Sequence, residues 1–138
     1  MFRVIKGLLI LFFVFVCLCG FSKRTKEKPF IMFASDEVTL TNLASTKTTF
    51  EKGDDIHYLV YVPKGFQDDF VRIQVLKKDT KTDFSGYKVK YTYDTEVTPK
   101  SSTLAGKLTV YEEGLFVMQI VEFAHPAKAV SVGAFKVE

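Results

Sequence analysis

Short runs in which apolar and polar residues alternate recur along most of this chain, and they limit its fold more than any other feature. The most regular run has Tyr87, Val89, Tyr91 and Tyr93 on one face, with lysine, threonine and aspartate between them. Alternation with a period of two predicts a half-buried β-strand. Turn-forming residues separate the runs at intervals of about 8–12 residues. The chain after its N-terminal segment is therefore predicted to be all-β.

We predict seven or eight short strands. The clearest predicted strands are Ile56–Val62, Phe70–Lys78, Leu104–Tyr111 and Ala129–Val137. Phe30–Ala34 and Glu37–Thr41 are predicted to form a first, split edge strand, and Gly133 is predicted to mark a bulge in the last strand.

The longest apolar run outside the N-terminus, Glu112–Phe123, opens with an acidic turn. In spacing, Glu112, Gly114, Phe116 and Met118 resemble the signature that opens the sixth strand of immunoglobulin-like sandwiches. The resemblance implies a two-sheet sandwich of seven or eight antiparallel strands, of the E-set or fibronectin type III kind. It also implies that Phe116 lies at a corner and Met118 in the core. Phe116 stands where that family usually has tyrosine, so it contributes packing without the tyrosine's hydrogen bond. A small lipocalin-like β-barrel is the alternative.

The first twenty residues have the pattern of an export signal. Arg3 and Lys6 precede the uninterrupted apolar segment Leu8–Leu18, as in the n- and h-regions of such signals. Cys17 and Cys19 stand at its end in place of a small-x-small cleavage site. This resembles a bacterial lipoprotein signal, which implies acylation of Cys19, or alternatively of Cys17. An uncleaved membrane helix and an ordinary secretory signal are the other interpretations.

The predicted organisation is a signal or anchor in residues 1–19, a basic tether in 20–35 and the sandwich domain in 36–138. Residues 1–28 hold six Lys/Arg and one acid, whereas the remaining residues hold 13 Lys/Arg and 15 Asp/Glu. The folded part is therefore mildly acidic, which disfavours nucleic-acid binding. The basic tract beside the anchor suits anionic lipid headgroups. Both cysteines lie in the signal, so apolar burial must hold the domain without a disulfide.

Both faces of the predicted strand 112–123 are apolar, although a strand in a solvated monomer normally has a polar outer face. One face carries Phe116, Met118 and Ile120, and the other carries Leu115, Val117, Val121 and Phe123. Flanking segments such as Phe30–Ala34 could cover the second face. Alternatively, the second face is a protein-binding surface, because contiguous apolar patches usually mark partners.

Candidate chemistry is sparse. His57 and His125 lack the spacing of zinc ligands. Asp54–Asp55 and Asp68–Asp69 could gather calcium at one end of a sandwich, but they lack the alternating ligand pattern, which favours turn formation instead. The tyrosines of the 87–93 run are predicted to be core, with the interleaved lysines solvated, rather than a carbohydrate platform. We predict no metal, no cofactor and no enzymatic activity.

These features together favour a lipid-anchored, non-catalytic protein-binding or accessory module of the bacterial cell envelope. It would be exported and held at the periplasmic or cell-surface face by the lipid anchor or an N-terminal helix. An envelope protein or a second copy of the chain would be its partner. A surface adhesin for a host protein or glycan is one alternative, and a carrier of a small apolar ligand is another.

Overall fold

The chain folds into eight strands, as a computed structural model describes for residues 27–41, 43–79 and 86–138. The strands are β1 (Phe30–Ala34), β2 (Thr49–Phe50), β3 (Asp55–Tyr61), β4 (Phe70–Lys78), β5 (Tyr87–Glu96), β6 (Thr103–Thr109), β7 (Gly114–Glu122) and β8 (Ala129–Val137). A single 3-10 turn at Leu43–Ser45 is the one helical segment in these ranges. No described segment forms an apolar helix of membrane-spanning length. The predicted signal, with Cys17 and Cys19, lies outside the described residues.

The strands form two sheets, with the orders β1-β3-β6 and β2-β8-β7-β4-β5. Neighbouring strands are antiparallel except for the short parallel pair of β2 and β8. This order places the strands as in the A–B–E and G–F–C sheets of an immunoglobulin sandwich, with β5 added beside β4. The predicted immunoglobulin-like sandwich is confirmed. The barrel alternative is wrong for the described residues, because the two sheets do not close on each other.

The sandwich begins earlier in the chain than predicted. All 5 residues of β1 pair with β3, so the strand predicted at Phe30–Ala34 is confirmed and belongs to the three-stranded sheet, ahead of the domain start predicted at residue 36. The alternating side chains of Ile31 and Phe33 point into the core and are buried, which explains why this segment joins the sheet. Residues 37–41, predicted as the second half of the strand, do not form one. Val38 is instead buried in a small apolar cluster.

The core lies between the sheets and is filled by the inward faces of the central strands. It includes Ile56, Tyr58 and Val60 from β3, Val71, Ile73 and Val75 from β4, and Phe116, Met118 and Ile120 from β7. The Phe116 ring stacks on Phe135 of β8, with ring centroids 5.4 Å apart. Each large apolar side chain buried in this way contributes about 1.5–3 kcal/mol of transfer free energy.

Gly133 does not mark the bulge of β8. The register shifts elsewhere, since Ile120 pairs with Ser131 whereas Val121 pairs with Ala129. A Cβ on Gly133 would lie 2.7 Å from the Cβ of Ile31. Glycine is therefore required here because β1 of the opposite sheet approaches the backbone of β8 too closely for a side chain.

The position of β5 corrects the prediction that its tyrosines are core residues. Tyr87, Tyr91 and Tyr93 are between 36% and 42% exposed. Tyr91 and Tyr93 point inward, but β5 is the edge strand of a five-stranded sheet and the facing sheet has only three strands. Tyr87 lies beyond the register shift of β5, opposite Lys78, and is on the outer face. The inward hydroxyl of Tyr93 reaches the hydroxyl of Tyr58 at 3.0 Å. Burial raises the pKa of Tyr58, so both hydroxyls stay neutral and bridge the two sheets at this open side.

Candidate protein-binding surface

The turn before β7 determines which of its side chains point outward. The Glu112 carboxylate accepts a hydrogen bond from Lys77 Nζ at 2.6 Å and lies 3.3 Å from Lys90 Nζ, and these contacts lower the pKa of Glu112. Gly114 has a φ of 149°, and a Cβ there would lie 2.7 Å from Cε of Lys77. With the turn fixed in this way, Phe116, Met118 and Ile120 enter the core.

The outer face of the five-stranded sheet, which points away from the three-stranded sheet, carries all four residues of the predicted binding surface. Leu115 is 47% exposed and Phe123 is 46% exposed, whereas Val117 is half-buried. Val121 is buried, with 7% exposure. It pairs with Arg72 of β4, whose guanidinium lies over the Phe123 ring at 5.2 Å. Val121 is therefore poorly available for contact with a partner.

Three apolar residues on neighbouring strands, none of them among the predicted surface residues, extend this surface. Val117 pairs with Leu76 of β4, and Leu76 pairs with Val89 of β5. On the other side, Val132 of β8 lies opposite Gln119 and is 51% exposed. We call the set of Leu76, Val89, Leu115, Val117 and Val132 the outer patch. The period-2 pattern contained a signal for Leu76 and Val132, because each occupies an outward position of its strand. It contained none for Val89, which the register shift of β5 turns to the outer face.

Polar pairs border the outer patch. Gln119 donates a hydrogen bond to Gln74 at 2.6 Å, and beyond it Arg72 forms an ion pair with Asp94 at 2.9 Å, which lowers the pKa of Asp94. An apolar centre with a satisfied polar border has the anatomy of a protein–protein contact.

A shallow open depression adjoins the outer patch at Leu115. It is lined by Glu113, Gly114, Leu115, Lys136, Val137 and Glu138. The ion pair between Lys136 and Glu138, 3.0 Å apart, lies at this depression. The outer patch is therefore concave at one end, where the positive Lys136 and the negative Glu138 lie beside the apolar Leu115.

The other candidate groups do not assemble into a chemical site. Asp54 immediately precedes β3, whereas Asp68 lies in the turn between β3 and β4. The two acidic pairs are therefore at opposite ends of β3 and do not meet as a calcium site would require. The Asp54 carboxylate accepts a hydrogen bond from the backbone N–H of Glu51, which is the predicted role in turn formation. The Asp68 carboxylate instead accepts one from the backbone N–H of Ala124, in the turn after β7. His57 is on β3 and His125 is in the turn after β7. Across the described residues, no group of three or more metal-ligating side chains occurs.

Comparisons with known proteins return structural similarities only. No protein-family model matches the chain, and no curated protein matches it. An immunoglobulin-like protein from Pseudomonas aeruginosa, PA1606, aligns over 83% of this chain and 95% of its own, with a TM-score of 0.49 and 13% identity.

Two further solved structures are similar to a smaller degree. An uncharacterized protein from Bacillus anthracis aligns over 65% of this chain and 76% of its own, with a TM-score of 0.45 and 14% identity. A β-glucosidase from Listeria innocua aligns over 83% of this chain but only 17% of its own, with a TM-score of 0.40 and 11% identity. At these scores the assignment of the fold rests on the strand order itself, which is that of an immunoglobulin-like sandwich.

Proposed function

We propose that this chain is an exported, membrane-anchored and non-catalytic binding module of the bacterial cell envelope, and that its outer patch contacts a protein partner. The observation that carries the proposal is the outer patch itself. Its side chains are aligned across four neighbouring strands, and Val89, Leu115 and Val132 are each about half exposed. An apolar surface that crosses four of the five strands of a sheet is unfavourable in water unless a partner covers it.

The N-terminal sequence supports the anchoring part of the proposal. Arg3, Lys6 and the apolar segment Leu8–Leu18 precede Cys19, which we propose as the acylated residue. The described chain enters the sandwich through β1, in the three-stranded sheet. The outer patch is on the other sheet and faces the opposite way, so an anchored domain could present the patch to a neighbouring protein.

The alternatives have less support. A carrier of an apolar ligand was predicted from a closed barrel, which the described strands do not form, and the space between the sheets is occupied by Phe50, Phe116 and Phe135. No feature of the outer patch distinguishes a host protein from an envelope protein, and the predicted lipoprotein signal makes an envelope partner the simpler choice.

Site-specific photo-crosslinking in the native host tests the proposal. A photoreactive residue at Leu115 or Val132 of the full-length protein is expected to give the same discrete adduct with an envelope protein. The same residue at Leu40 provides a matched control, since Leu40 is 48% exposed but lies in the segment that follows β1. Adducts from Leu40 alone, or none from either outer-patch position, would contradict the proposed surface.

Substitution then measures the contribution of the outer patch. Leu115→Glu is expected to weaken co-purification of the crosslinked protein at least about tenfold, because it places a charge in a desolvated contact. Leu40→Glu should leave co-purification unchanged. Both positions are exposed, so both variants should unfold at the wild-type temperature. Intact mass measures the anchor separately, through acylation that is lost in Cys19→Ser.

A further inference from the structure

Three turns form one end of the sandwich, and together with the chain that leads into β1 we call them the tether end. The turns are residues 62–69 between β3 and β4, 97–102 between β5 and β6, and 123–128 between β7 and β8. The first turn is joined to the second, because the N–H of Lys100 donates to the carbonyl of Phe66 at 2.8 Å. It is joined to the third through the Asp68 carboxylate, which accepts from the N–H of Ala124. The tether end is therefore one connected surface.

The N-terminal segment enters the domain at this end. Glu27 accepts a hydrogen bond from the hydroxyl of Tyr61, at the end of β3, at 2.5 Å, so the chain is already fixed to the sandwich before β1 begins. Eight residue steps separate Glu27 from Cys19, the proposed acylation site, and they span at most about 28 Å. The anchor thus keeps the tether end within reach of the bilayer.

The tether end carries one exposed lysine in each of its four parts, the leading chain and the three turns. These lysines are Lys28, Lys64, Lys100 and Lys128. None of the four forms an ion pair within the described residues, whereas Lys52, Lys77 and Lys136 at the opposite end are paired with acids. The four ammonium groups of the tether end are therefore free to bind an anion outside the domain.

The backbone of Lys100 has an unfavourable conformation. Its φ of 66° is the one positive value among the non-glycine residues that the structure describes. Gly65 packs directly against it, since a Cβ on Gly65 would lie 2.7 Å from the carbonyl oxygen of Lys100. Left-handed positions normally favour glycine or asparagine. A residue held in such a conformation by its surroundings is a recurrent feature of functional sites, which indicates a role for this lysine side chain.

The acidic groups of this end are engaged or lie to one side. Three of them already have partners within the domain, namely Glu27, Asp68 and Asp94. Asp69 and Glu96 form no ion pair within the described residues, and both are where the end of β5 adjoins the start of β4. Three of the lysines instead adjoin β1, β3 and β8. The tether end is therefore basic where the N-terminal chain enters and acidic beside β5.

We propose that the lysines of the tether end bind the anionic lipid headgroups of the membrane that holds the anchor, so that this end of the domain rests on the bilayer. The inference depends on the anchoring part of the proposed function, to which it adds the orientation of the domain. Each lysine close to an anionic membrane surface favours docking by about fivefold, and the basic tract 23–28 acts in the same direction. The strands then stand away from the bilayer, and the outer patch faces sideways, toward neighbouring envelope proteins.

Tryptophan fluorescence can report the orientation, because the chain contains no tryptophan. Phe123→Trp places a single fluorophore at the tether end, and Tyr111→Trp places one at the opposite end. The two native side chains are 46% and 75% exposed, so both substitutions are at the surface. The 9 residues of β7 separate the two positions, which is about 30 Å at the usual rise of a strand. Full-length acylated protein is incorporated into vesicles that contain anionic lipid and lipid spin-labelled at the headgroup.

The spin labels are expected to quench the tether-end tryptophan at least about threefold more than the other, because the second is about 30 Å farther from the headgroups. Adding Lys64→Gln and Lys100→Gln should weaken docking about 25-fold and reduce the quenching to its level in vesicles without anionic lipid. Lys78→Gln with Lys88→Gln is the matched control, since these lysines are also exposed and unpaired in the described structure but lie at the opposite end. This pair should leave the quenching unchanged.

Flotation of the vesicles measures the anchor separately from docking. Every variant should float with the vesicles, because the anchor precedes the domain. Protein that floats but is quenched equally at both ends would overturn the proposed docking and leave the anchor in place. Quenching that does not respond to Lys64→Gln with Lys100→Gln, or to removal of anionic lipid, would do the same. Wild-type protein that does not float would contradict the anchor and, with it, the docking.

Discussion

The outer faces of both sheets carry apolar residues, but the surroundings of these residues differ. On the three-stranded sheet, the outward Leu59 of β3 is 4% exposed, because Val38 and Ala34 pack against it. The segment that carries Val38 is fastened to β1, with Lys47 N–H donating to the carbonyl of Phe33 at 2.8 Å. On the five-stranded sheet, no described segment lies over Leu115.

When both faces of a strand are apolar, an outward residue can either be covered by the chain itself or remain exposed to water. At Leu59 the chain covers its own outer face, and the residue becomes part of the folding core. At Leu115 the residue remains in water. The first should therefore contribute to stability, and the second should contribute to association. Substitutions at Leu59 and Leu115 test this distinction within the isolated protein, and two smaller effects are expected at other contacts of the sandwich.

The largest expected effect is at the covered face. Leu59→Ala should lower the free energy of unfolding by about 2–4 kcal/mol, because it leaves a cavity under Val38. Leu115→Ala is the matched substitution on the open face, and it should change stability by less than about 0.5 kcal/mol. Urea denaturation of both variants measures the two values. Equal losses at the two positions would remove the distinction between the faces.

A smaller effect is expected where the open side of the sandwich is bridged. Tyr93→Phe removes one hydroxyl and leaves that of the buried Tyr58 without its partner, which should cost about 1 kcal/mol. Tyr91→Phe, on the same strand and face, is the control and should be nearly neutral. If thermal unfolding of the two variants coincides, the hydroxyl pair does not contribute to holding β5 against the facing sheet.

The smallest effect concerns the ion pairs at the start of β7. The hydrogen bond from Lys77, and then that from Lys90, lower the pKa of Glu112 below its ordinary value of 4.5. The stabilisation is therefore complete above that value and is lost as the pH falls through the lower pKa of the folded protein. Because these groups are exposed to solvent, the change should be small.

Unfolding in urea between pH 6 and about pH 3 measures this dependence. Glu112→Gln should flatten the acid limb of the curve, and Glu113→Gln, one residue along the same turn, should not. A wild-type curve identical to that of Glu112→Gln would show that Glu112 does not link β4 and β5 to the turn.

The sequence predicted which segments form strands better than it predicted what each strand packs against. Period-2 alternation identified β4, β5 and β8 because it reports the local conformation of the chain. The same pattern predicted buried tyrosines in β5, where burial depends on how many strands the facing sheet has. No local pattern reports that number. Likewise, the sequence predicted a strand at Phe30–Ala34, but no local pattern reports its close approach to β8, which Gly133 permits.

For the candidate surface, the sequence identified Leu115 and Phe123 but not their neighbours. Val89 and Val132 required the registers of β5 and β8, which bring them beside residues distant in the chain. Val121 is the opposite case, because it occupies the outward position that was predicted but is buried. The Arg72 side chain, which comes from the paired strand, lies across that end of the sheet.

The pairing of β1 with β3 also has a mechanical consequence. In the anchored protein that we propose, a pull on a bound partner is balanced at the membrane through the chain that precedes Phe30. Because β1 is antiparallel to β3 and paired along all 5 residues, tension along this strand loads its hydrogen bonds together in shear and does not open them one after another. β1 would therefore be the element that resists detachment of the domain from its anchor under force.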